Sequence, residues 1–292
     1  MVWLPKNFES VRDMSRMPPG LAADVAFRLF CLPSFSDWRP KEHDRLAQRA
    51  RYYLRSARWQ TIATPLGRLR CYVFTPDEGD PLGTVLMVHG WTGEASFMTA
   101  LGEAVRRAGY RVVLFDLPAH GMSEGRSTNL IDCARAVIFV ADVFGPFEAV
   151  LSHSFGGMIT MVAAEGLAPM PHGMDALKYV LVASPNRLTD ITTAFCKARG
   201  MTNEGRRAFE QRLERIGRRP IEFFSVGRLL GTTNRPALVI HDTHDDAVPF
   251  ARCKEIVDGV PLATPKTFDG LGHRKILFAS QVARTIISFL RH

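Results

Sequence analysis

The sequence predicts an α/β fold in which helices cover both faces of a mostly parallel sheet. Two observations predict it. Short apolar runs that suit buried strands alternate with helical segments over most of the 292 residues. One strand–helix junction, the stretch LSHSFGG at residues 151–157, also places serines between small residues at a sharp turn. In such a sheet, chemistry is expected at the edge where the parallel strands end.

Residues 1–57 are predicted to form a helical extension that precedes the sheet. The apolar stretch 21–32 is too short to span a bilayer and contains two charged residues, so we expect a docking helix there. Residues 41–58 have apolar side chains spaced for one helical face and arginines on the other, which indicates a surface helix.

The core then follows as a hairpin and a series of strand–helix units. The alternating patterns on either side of Pro65-Leu66-Gly67 predict the hairpin. Strands are predicted at 58–64, 68–75, 84–88, 110–115, 147–151, 178–183, 237–240 and 265–268. Helices are predicted at 95–108, 129–143, 158–164, 203–216 and 276–290.

The junction at residues 151–157 has the pattern of a nucleophile elbow, a strained turn that projects a serine hydroxyl from the end of a strand. Strand and helix pass so closely there that the positions two before and two after the serine must be small. Gly156 fills the later position, and Ser152 fills the earlier one, where the usual pattern has glycine. Ser152 is therefore a second candidate nucleophile, but only Ser154 has a small residue on both sides at that spacing.

Polar motifs follow each of the other parallel strands and should meet at the same edge of the sheet. They are HGW at 89–91, DLPAHGMS at 116–123, HDTHDDAVP at 241–249 and DGLGH at 269–273. With the serine turn, these motifs resemble the α/β-hydrolase superfamily from about residue 58 to the carboxyl terminus. Within it, the chain resembles small bacterial esterases and lysophospholipase-like serine hydrolases that carry a helical cap.

The resemblance implies an α/β-hydrolase fold with a defined division of the chain. The core would comprise residues 58–185 and 233–292. A helical cap segment, residues 186–232, would be inserted between two strands, and the extension at 1–57 would lie outside the common core.

A serine hydroxyl is a poor nucleophile until a base takes its proton, and the best candidate base is His273. Among the nine histidines, it alone lies on the loop after the last strand. A carboxylate is needed to fix the tautomer of that histidine, and Asp245 and Asp246 compete for this role. The resemblance favours Asp245, which lies four residues before Pro249, and leaves Asp246 as a solvated turn residue.

Attack on a carbonyl produces an oxyanion, which fixed backbone amides can stabilise without reorganisation. The amide of Phe155 follows the serine directly at a helix start, and the amide of Trp91 follows His-Gly. We expect these two amides to form the oxyanion hole and the Trp91 indole to line the acyl pocket or simply to pack.

The remaining histidines invite other interpretations. His89 and His120 are expected to be buried and bonded to the backbone, and His153 is expected to point away from the serine. The histidines and aspartates at 241–246 could suggest a metal, but they lack the spacing and the second cluster that a metal site needs. We expect no metal and no cofactor.

The composition and the amino terminus indicate the cellular compartment of the protein. The five cysteines are scattered without a C-x-x-C pair, which argues against a disulfide framework and for a reducing compartment. The amino terminus has no basic segment followed by an apolar core, so a cytoplasmic location is expected. Nothing in the sequence indicates the oligomeric state.

The predicted cap segment is unusually basic. Residues 197–219 hold eight basic and three acidic residues, a net charge of +5 out of +8 for the chain. We expect Arg206, Arg207 and Arg212 to bind substrate, because arginine binds carboxylate and phosphate bidentately. They would recruit anionic substrates or touch a lipid surface transiently, whereas the alternative is a solvated helix face.

These observations favour a serine hydrolase that cleaves a carboxylic ester through an acyl-enzyme. The expected partner is a small acyl ester, an anionic one if the basic segment binds substrate, and not a nucleic acid. Acyl transfer, carbon–carbon bond hydrolysis and a non-catalytic binding module remain open.

Overall fold

The structure, a computed structural model, describes residues 13–33, 48 and 50–292. Its centre is an eight-stranded sheet in the order β1-β2-β4-β3-β5-β6-β7-β8. The β1–β2 hairpin is antiparallel and pairs antiparallel with β4, and the other strands run parallel. The strands are β1 Arg58–Thr64, β2 Gly67–Phe74, β3 Thr84–Val88, β4 Arg111–Phe115, β5 Phe147–His153, β6 Ala176–Val182, β7 Ala237–Asp242 and β8 Ala263–Phe268.

Ten α-helices have both of their ends within the described ranges. They are α1 Pro19–Phe30, α2 Thr99–Arg107, α3 Leu130–Phe144, α4 Phe155–Glu165, α5 Leu188–Lys197, α6 Asn203–Gly217, α7 Val226–Thr233, α8 Ala251–Val257, α9 Gly272–Lys275 and α10 Ser280–Arg291. None of these helices is both long and apolar enough to cross a bilayer.

The central strands form because both of their faces are covered. Every residue of β3 is buried, and alternate side chains enter different cores. Leu86 and Val88 join the core under α3 and α4, whereas Val85 and Met87 join the core under α2 and α10. A continuous apolar run is what a parallel strand needs when helices lie on both sides.

The structure differs from the predicted elements at several short helices. The sequence pattern does not predict α5, α7 or α8, and the predicted helix at 95–108 begins as a 3-10 turn at Ala95–Met98. The helix predicted at 203–216 is α6, which ends at Gly217, and the next residue, Arg218, is left-handed. A Cβ at Gly217 would lie 2.6 Å from the Phe224 ring, so this glycine makes room for packing. Of the predicted helix at 41–58, residues 41–47 and 49 lie outside the described residues, residues 48 and 50–54 are helical, and Arg58 begins β1.

The amino-terminal helix α1 packs against α6 of the cap segment. The Phe30 ring lies edge-on to Phe195 and Phe209, with centroids 5.0 and 5.3 Å away. Arg212 donates through Nε to Asp24 Oδ1 at 2.7 Å and through Nη2 to the Gly20 carbonyl at 2.9 Å. Within the described residues, α1 of the predicted extension and α6 of the segment 186–232 therefore pack on one another.

Candidate active site

Ser154 lies at the tip of the turn between β5 and α4. Its φ of 54° and ψ of −130° put a non-glycine residue in a sparsely populated backbone region. The turn leaves no room for a side chain at Gly156, because a Cβ there would lie 2.6 Å from the Val88 carbonyl oxygen. Ser152, in contrast, lies within β5 with a fully buried side chain. The half-buried Ser154 is thus the serine whose hydroxyl projects from the sheet.

The structure brings Ser154, His273 and Asp245 into one chain of hydrogen bonds. The Ser154 Oγ and His273 Nε2 atoms are 3.0 Å apart. His273 Nδ1 and Asp245 Oδ2 are 2.8 Å apart. With the Nδ1–H donating to the carboxylate, Nε2 is left as the acceptor of the serine proton, which is the tautomer that a general base requires.

Asp245 is built to remain an anion. Its side chain is buried, and its Oδ1 accepts the amides of Ala247 at 2.9 Å and Val248 at 2.7 Å. Burial by itself raises the pKa of Asp245. The hydrogen bond and charge of His273, together with these amides, outweigh burial and hold the pKa below its ordinary value. Asp246, the competing candidate, is exposed.

Two buried side chains hold the loop that carries His273. His153 donates from Nε2 to the His273 carbonyl oxygen at 2.9 Å, and the two rings lie with centroids 4.8 Å apart. Asp242 Oδ2 accepts the Leu271 amide at 2.9 Å. His153 thus contacts the loop of the predicted base, in addition to being a neighbour of the serine in sequence. Nothing in the pattern at 151–157 predicts this contact.

The HGW loop presents its backbone beside the serine. A Cβ at Gly90 would lie 2.8 Å from the Ser154 Cβ, so the two residues are in direct contact. The Gly90 carbonyl accepts from His89 Nδ1 at 2.8 Å and from the Gly93 amide at 3.0 Å. In a trans peptide the next N–H points opposite to the carbonyl, so the Trp91 amide faces away from these two donors. The Phe155 amide lies in the first turn of α4, directly after Ser154.

The other strand-end histidines make backbone contacts, as expected. His89 Nε2 accepts the Leu117 amide at 3.0 Å, and His120 Nδ1 donates to the Pro118 carbonyl at 2.9 Å. The Trp91 ring stands edge-on to His120 and Phe155, with centroids 5.2 and 5.8 Å away. This packing fixes the indole next to the residue that follows the serine.

The histidines and aspartates at 241–246, which could have suggested a metal site, form hydrogen bonds with other groups of the protein. His241 Nε2 donates to the Val248 carbonyl at 2.9 Å, and Asp242 Oδ1 accepts the His244 amide at 2.9 Å. These contacts shape the loops that carry Asp245 and His273. All five cysteines are buried and unpaired, and burial raises the pKa of Cys133 to about 12, which makes this thiol a poor nucleophile.

The three arginines predicted to bind substrate differ in their surroundings. Arg206 pairs with Glu210 at 2.8 Å, and Arg212 pairs with Asp24 at 2.7 Å. Arg207 is exposed on α6. Two of the three thus already hold carboxylates of the protein itself, and recruitment of anions by this helix face stays a prediction.

Buried histidines should make the stability of the protein depend on pH. Burial lowers the pKa of His120 to about 4 and that of His153 to about 3, and it also lowers the pKa of His241. In the unfolded chain a histidine takes up its proton near pH 6.5, roughly as in model peptides. Between about pH 6.5 and 4 the unfolded state therefore binds more protons, and the free energy of unfolding should fall as the pH falls. Each net proton contributes roughly 1.4 kcal/mol per pH unit.

Asp116 opposes this trend, because burial raises its pKa to about 6 and the folded state then holds a proton that the unfolded state releases. Three histidines against one carboxyl leave the unfolded state with the larger number of bound protons. Urea unfolding at pH 6.5, 5.5 and 4.5 measures the slope that results. His153→Gln should reduce the slope by about one proton. Equal slopes in the parent and the variant would contradict the assignment.

Comparisons with known proteins agree with the architecture. A model of the alpha/beta hydrolase family matches residues 85–285. The chain is 27% identical over 261 residues to 2-hydroxy-6-oxononadienedioate/2-hydroxy-6-oxononatrienedioate hydrolase 1 of Dechloromonas aromatica (strain RCB), covering 74% of this chain and 89% of that protein. It is 24% identical over 269 residues to hydrolase 2 of the same name from Pseudomonas putida, covering 77% and 94%.

Among solved structures, Est1E of Butyrivibrio proteoclasticus with bound ferulic acid aligns with a TM-score of 0.62 at 16% identity. The alignment covers 80% of this chain and 98% of that one. A likeness at this identity concerns the fold. Because the family model spans more than half of the chain, the chain belongs to the α/β-hydrolase family.

Proposed function

We propose that the protein is a serine hydrolase that cleaves a carboxylic ester. The observation that carries the proposal is the hydrogen-bonded chain from Ser154 through His273 to Asp245, at the sheet edge where this family has its chemistry. The buried Asp245 carboxylate would stabilise the charged form of His273 and hold its ring in place.

In the first half of the reaction, His273 takes the Ser154 proton as Oγ attacks the carbonyl carbon. The amides of Trp91 and Phe155 would stabilise the oxyanion. His273 then gives its proton to the departing alcohol, which leaves an acyl group on Ser154. In the second half, His273 takes a proton from water, the hydroxide oxygen bonds to the acyl carbon, and the Ser154 oxygen recovers the proton on release of the acid.

A second candidate function has a specific observation in its favour. Both curated relatives are named for 2-hydroxy-6-oxononadienedioate, a dicarboxylate with a ketone and no ester bond. Hydrolysis of such a compound must break a carbon–carbon bond beside the ketone. The same three residues could do this if Ser154 attacked the ketone and His273 gave its proton to the carbon that leaves.

A panel of substrates separates the two candidates. It comprises p-nitrophenyl esters of increasing chain length, a lysophospholipid, an amide and 2-hydroxy-6-oxononadienedioate, each given to the protein and to Ser154→Ala. Ester turnover that disappears in the variant supports the first proposal. Turnover of the dienedioate with little ester activity would support the second, and no turnover in a protein that also resists fluorophosphonate labelling would refute both.

A further inference from the structure

Asp242 is a carboxylate at the end of β7 to which the proposed reaction gives no role. The residue is fully buried. Its Oδ1 accepts the amide of His244 at 2.9 Å, and its Oδ2 accepts the amide of Leu271 at 2.9 Å. The Gly272 amide is a further hydrogen-bond donor to the same carboxylate. One side chain is therefore bonded both to the loop after β7 and to the loop after β8.

These two loops carry the acid and the base of the hydrogen-bonded chain. His244 directly precedes Asp245, and Gly272 directly precedes His273. The Asp245 Oδ2 and His273 Nδ1 atoms are 2.8 Å apart, so a shift of one loop against the other changes that distance. A misplacement of about 1 Å at a catalytic group can lower a rate by about 100-fold. The contacts of Asp242 thus act on the geometry that orients the base.

The charge of Asp242 suits it to bind both loops at once. Burial by itself raises the pKa of Asp242, but the backbone amides of the two loops outweigh burial and hold the pKa below its ordinary value. Both oxygens of a carboxylate accept hydrogen bonds, whereas asparagine has one accepting oxygen and one donating NH₂ group. An asparagine at this position can satisfy one loop only, and it sets its own N–H groups against the amide of the other.

A second side-chain link between the same loops lies at the surface. Asp269, in the loop after β8, pairs with His244 Nδ1 at 2.9 Å and accepts from the Thr243 hydroxyl. The side chains of Asp269 and His244 are 77% and 71% exposed, and solvent weakens an ion pair of this kind. This link is a matched control, because it joins the same loops without burial.

We propose that Asp242 is a positioning residue that fixes the loop of Asp245 against the loop of His273 and thereby sets the rate at which Ser154 attacks. It acts through the hydrogen bond between Asp245 and His273 and needs no contact with the substrate. The assignment rests on the proposed function, and it applies equally to ester and to carbon–carbon bond hydrolysis because both use the same base.

Asp242→Asn should lower kcat for a p-nitrophenyl ester about 10- to 100-fold. KM should not change, because His273 acts in both halves of the reaction and a misplaced base slows both by a similar factor. Asp269→Asn, which breaks the surface link, should keep kcat within about twofold of the parent value. Active sites are counted by complete fluorophosphonate labelling, so that a loss of folded protein is not mistaken for a loss of rate. An unchanged kcat in Asp242→Asn would overturn the proposal.

A double-mutant cycle separates positioning from a general structural role. In Asp245→Asn the contact between acid and base is already disrupted, so the further change Asp242→Asn should lower kcat by less than about threefold. Equal losses with and without the Asp245 carboxylate would show that Asp242 acts on the fold alone, which would also overturn the proposal.

Proton NMR tests the same contact without a substrate. A proton in a short hydrogen bond between a histidine and a carboxylate gives a far-downfield resonance. It should be present in the parent and in Ser154→Ala, and it should weaken or move upfield in Asp242→Asn. Asp242→Ser, which keeps one acceptor, replaces the asparagine variant if that variant does not fold.

The two measurements distinguish a failure of this assignment from a failure of the proposed function. If the resonance changes as expected but neither ester nor dienedioate is hydrolysed, the positioning role stands and the proposed function is wrong. If hydrolysis is observed but the resonance and kcat of Asp242→Asn equal those of the parent, the proposed function stands and Asp242 is not a positioning residue.

Discussion

Ser154→Ala should lower ester hydrolysis by about 10⁶-fold, the scale seen when the nucleophile of such a triad is removed. The Ser154 Oγ lies 3.0 Å from the His273 Nε2, and alanine leaves that base with no proton to take. Labelling by a fluorophosphonate probe should vanish in the same variant. The measurements are initial rates with a p-nitrophenyl ester and mass spectrometry of the labelled protein.

Ser152→Ala is the matched control, two residues away on the same strand. The Ser152 hydroxyl is buried and has no hydrogen-bond partner, so its removal should leave both labelling and stability intact. A probe adduct on Ser152, or an unlabelled but folded parent protein, would show that Ser154 is not the nucleophile.

Asp245→Asn should lower the rate by about 10⁴-fold, the scale of losing the carboxylate that orients a catalytic histidine. The backbone amides of Ala247 and Val248 hold one oxygen of this side chain, so the asparagine amide group would turn toward His273. That amide donates where the carboxylate accepts, which favours the wrong tautomer of the histidine.

Asp246→Asn tests the neighbouring candidate with the same chemical change. Asp246 is exposed, and its variant should keep most of the activity. Both rates are measured with one ester at saturating concentration, with circular dichroism to confirm folding. If Asp246→Asn were the more damaging change, the role of the acid would pass to Asp246.

The central strands β3 and β4 could be predicted because each is a nearly uninterrupted apolar run. β3, predicted at 84–88, has those bounds in the structure, since a strand covered on both faces admits no polar break. α5 escaped prediction because it holds three threonines in ten residues, and α8 has only seven residues. Their helicity depends on tertiary packing that no local pattern records.

The residues of the candidate site could be predicted wherever the ends of the parallel strands could be predicted. Ser154, Asp245 and His273 each follow a parallel strand, so the topology alone brings them to one edge. The contact of His153 with the His273 carbonyl could not be predicted, because it depends on how a loop 120 positions away packs on β5. The charge count over residues 197–219 also could not show that Arg199 is buried, since sequence composition does not tell a buried charge from an exposed one.

Because α1 packs against α6, it cannot complete its packing during synthesis until α6 has been made. Asp24 and its partner Arg212 are separated by 188 positions. At roughly 5–20 residues per second, a ribosome needs about 10–40 s to pass from one to the other. Through that interval α1 has no α6 to cover the face that includes Ala22, Ala23 and Ala26, all buried in the finished protein. Helix α1 is therefore among the last to find its place, and the nascent chain carries an uncovered apolar surface until α6 has emerged.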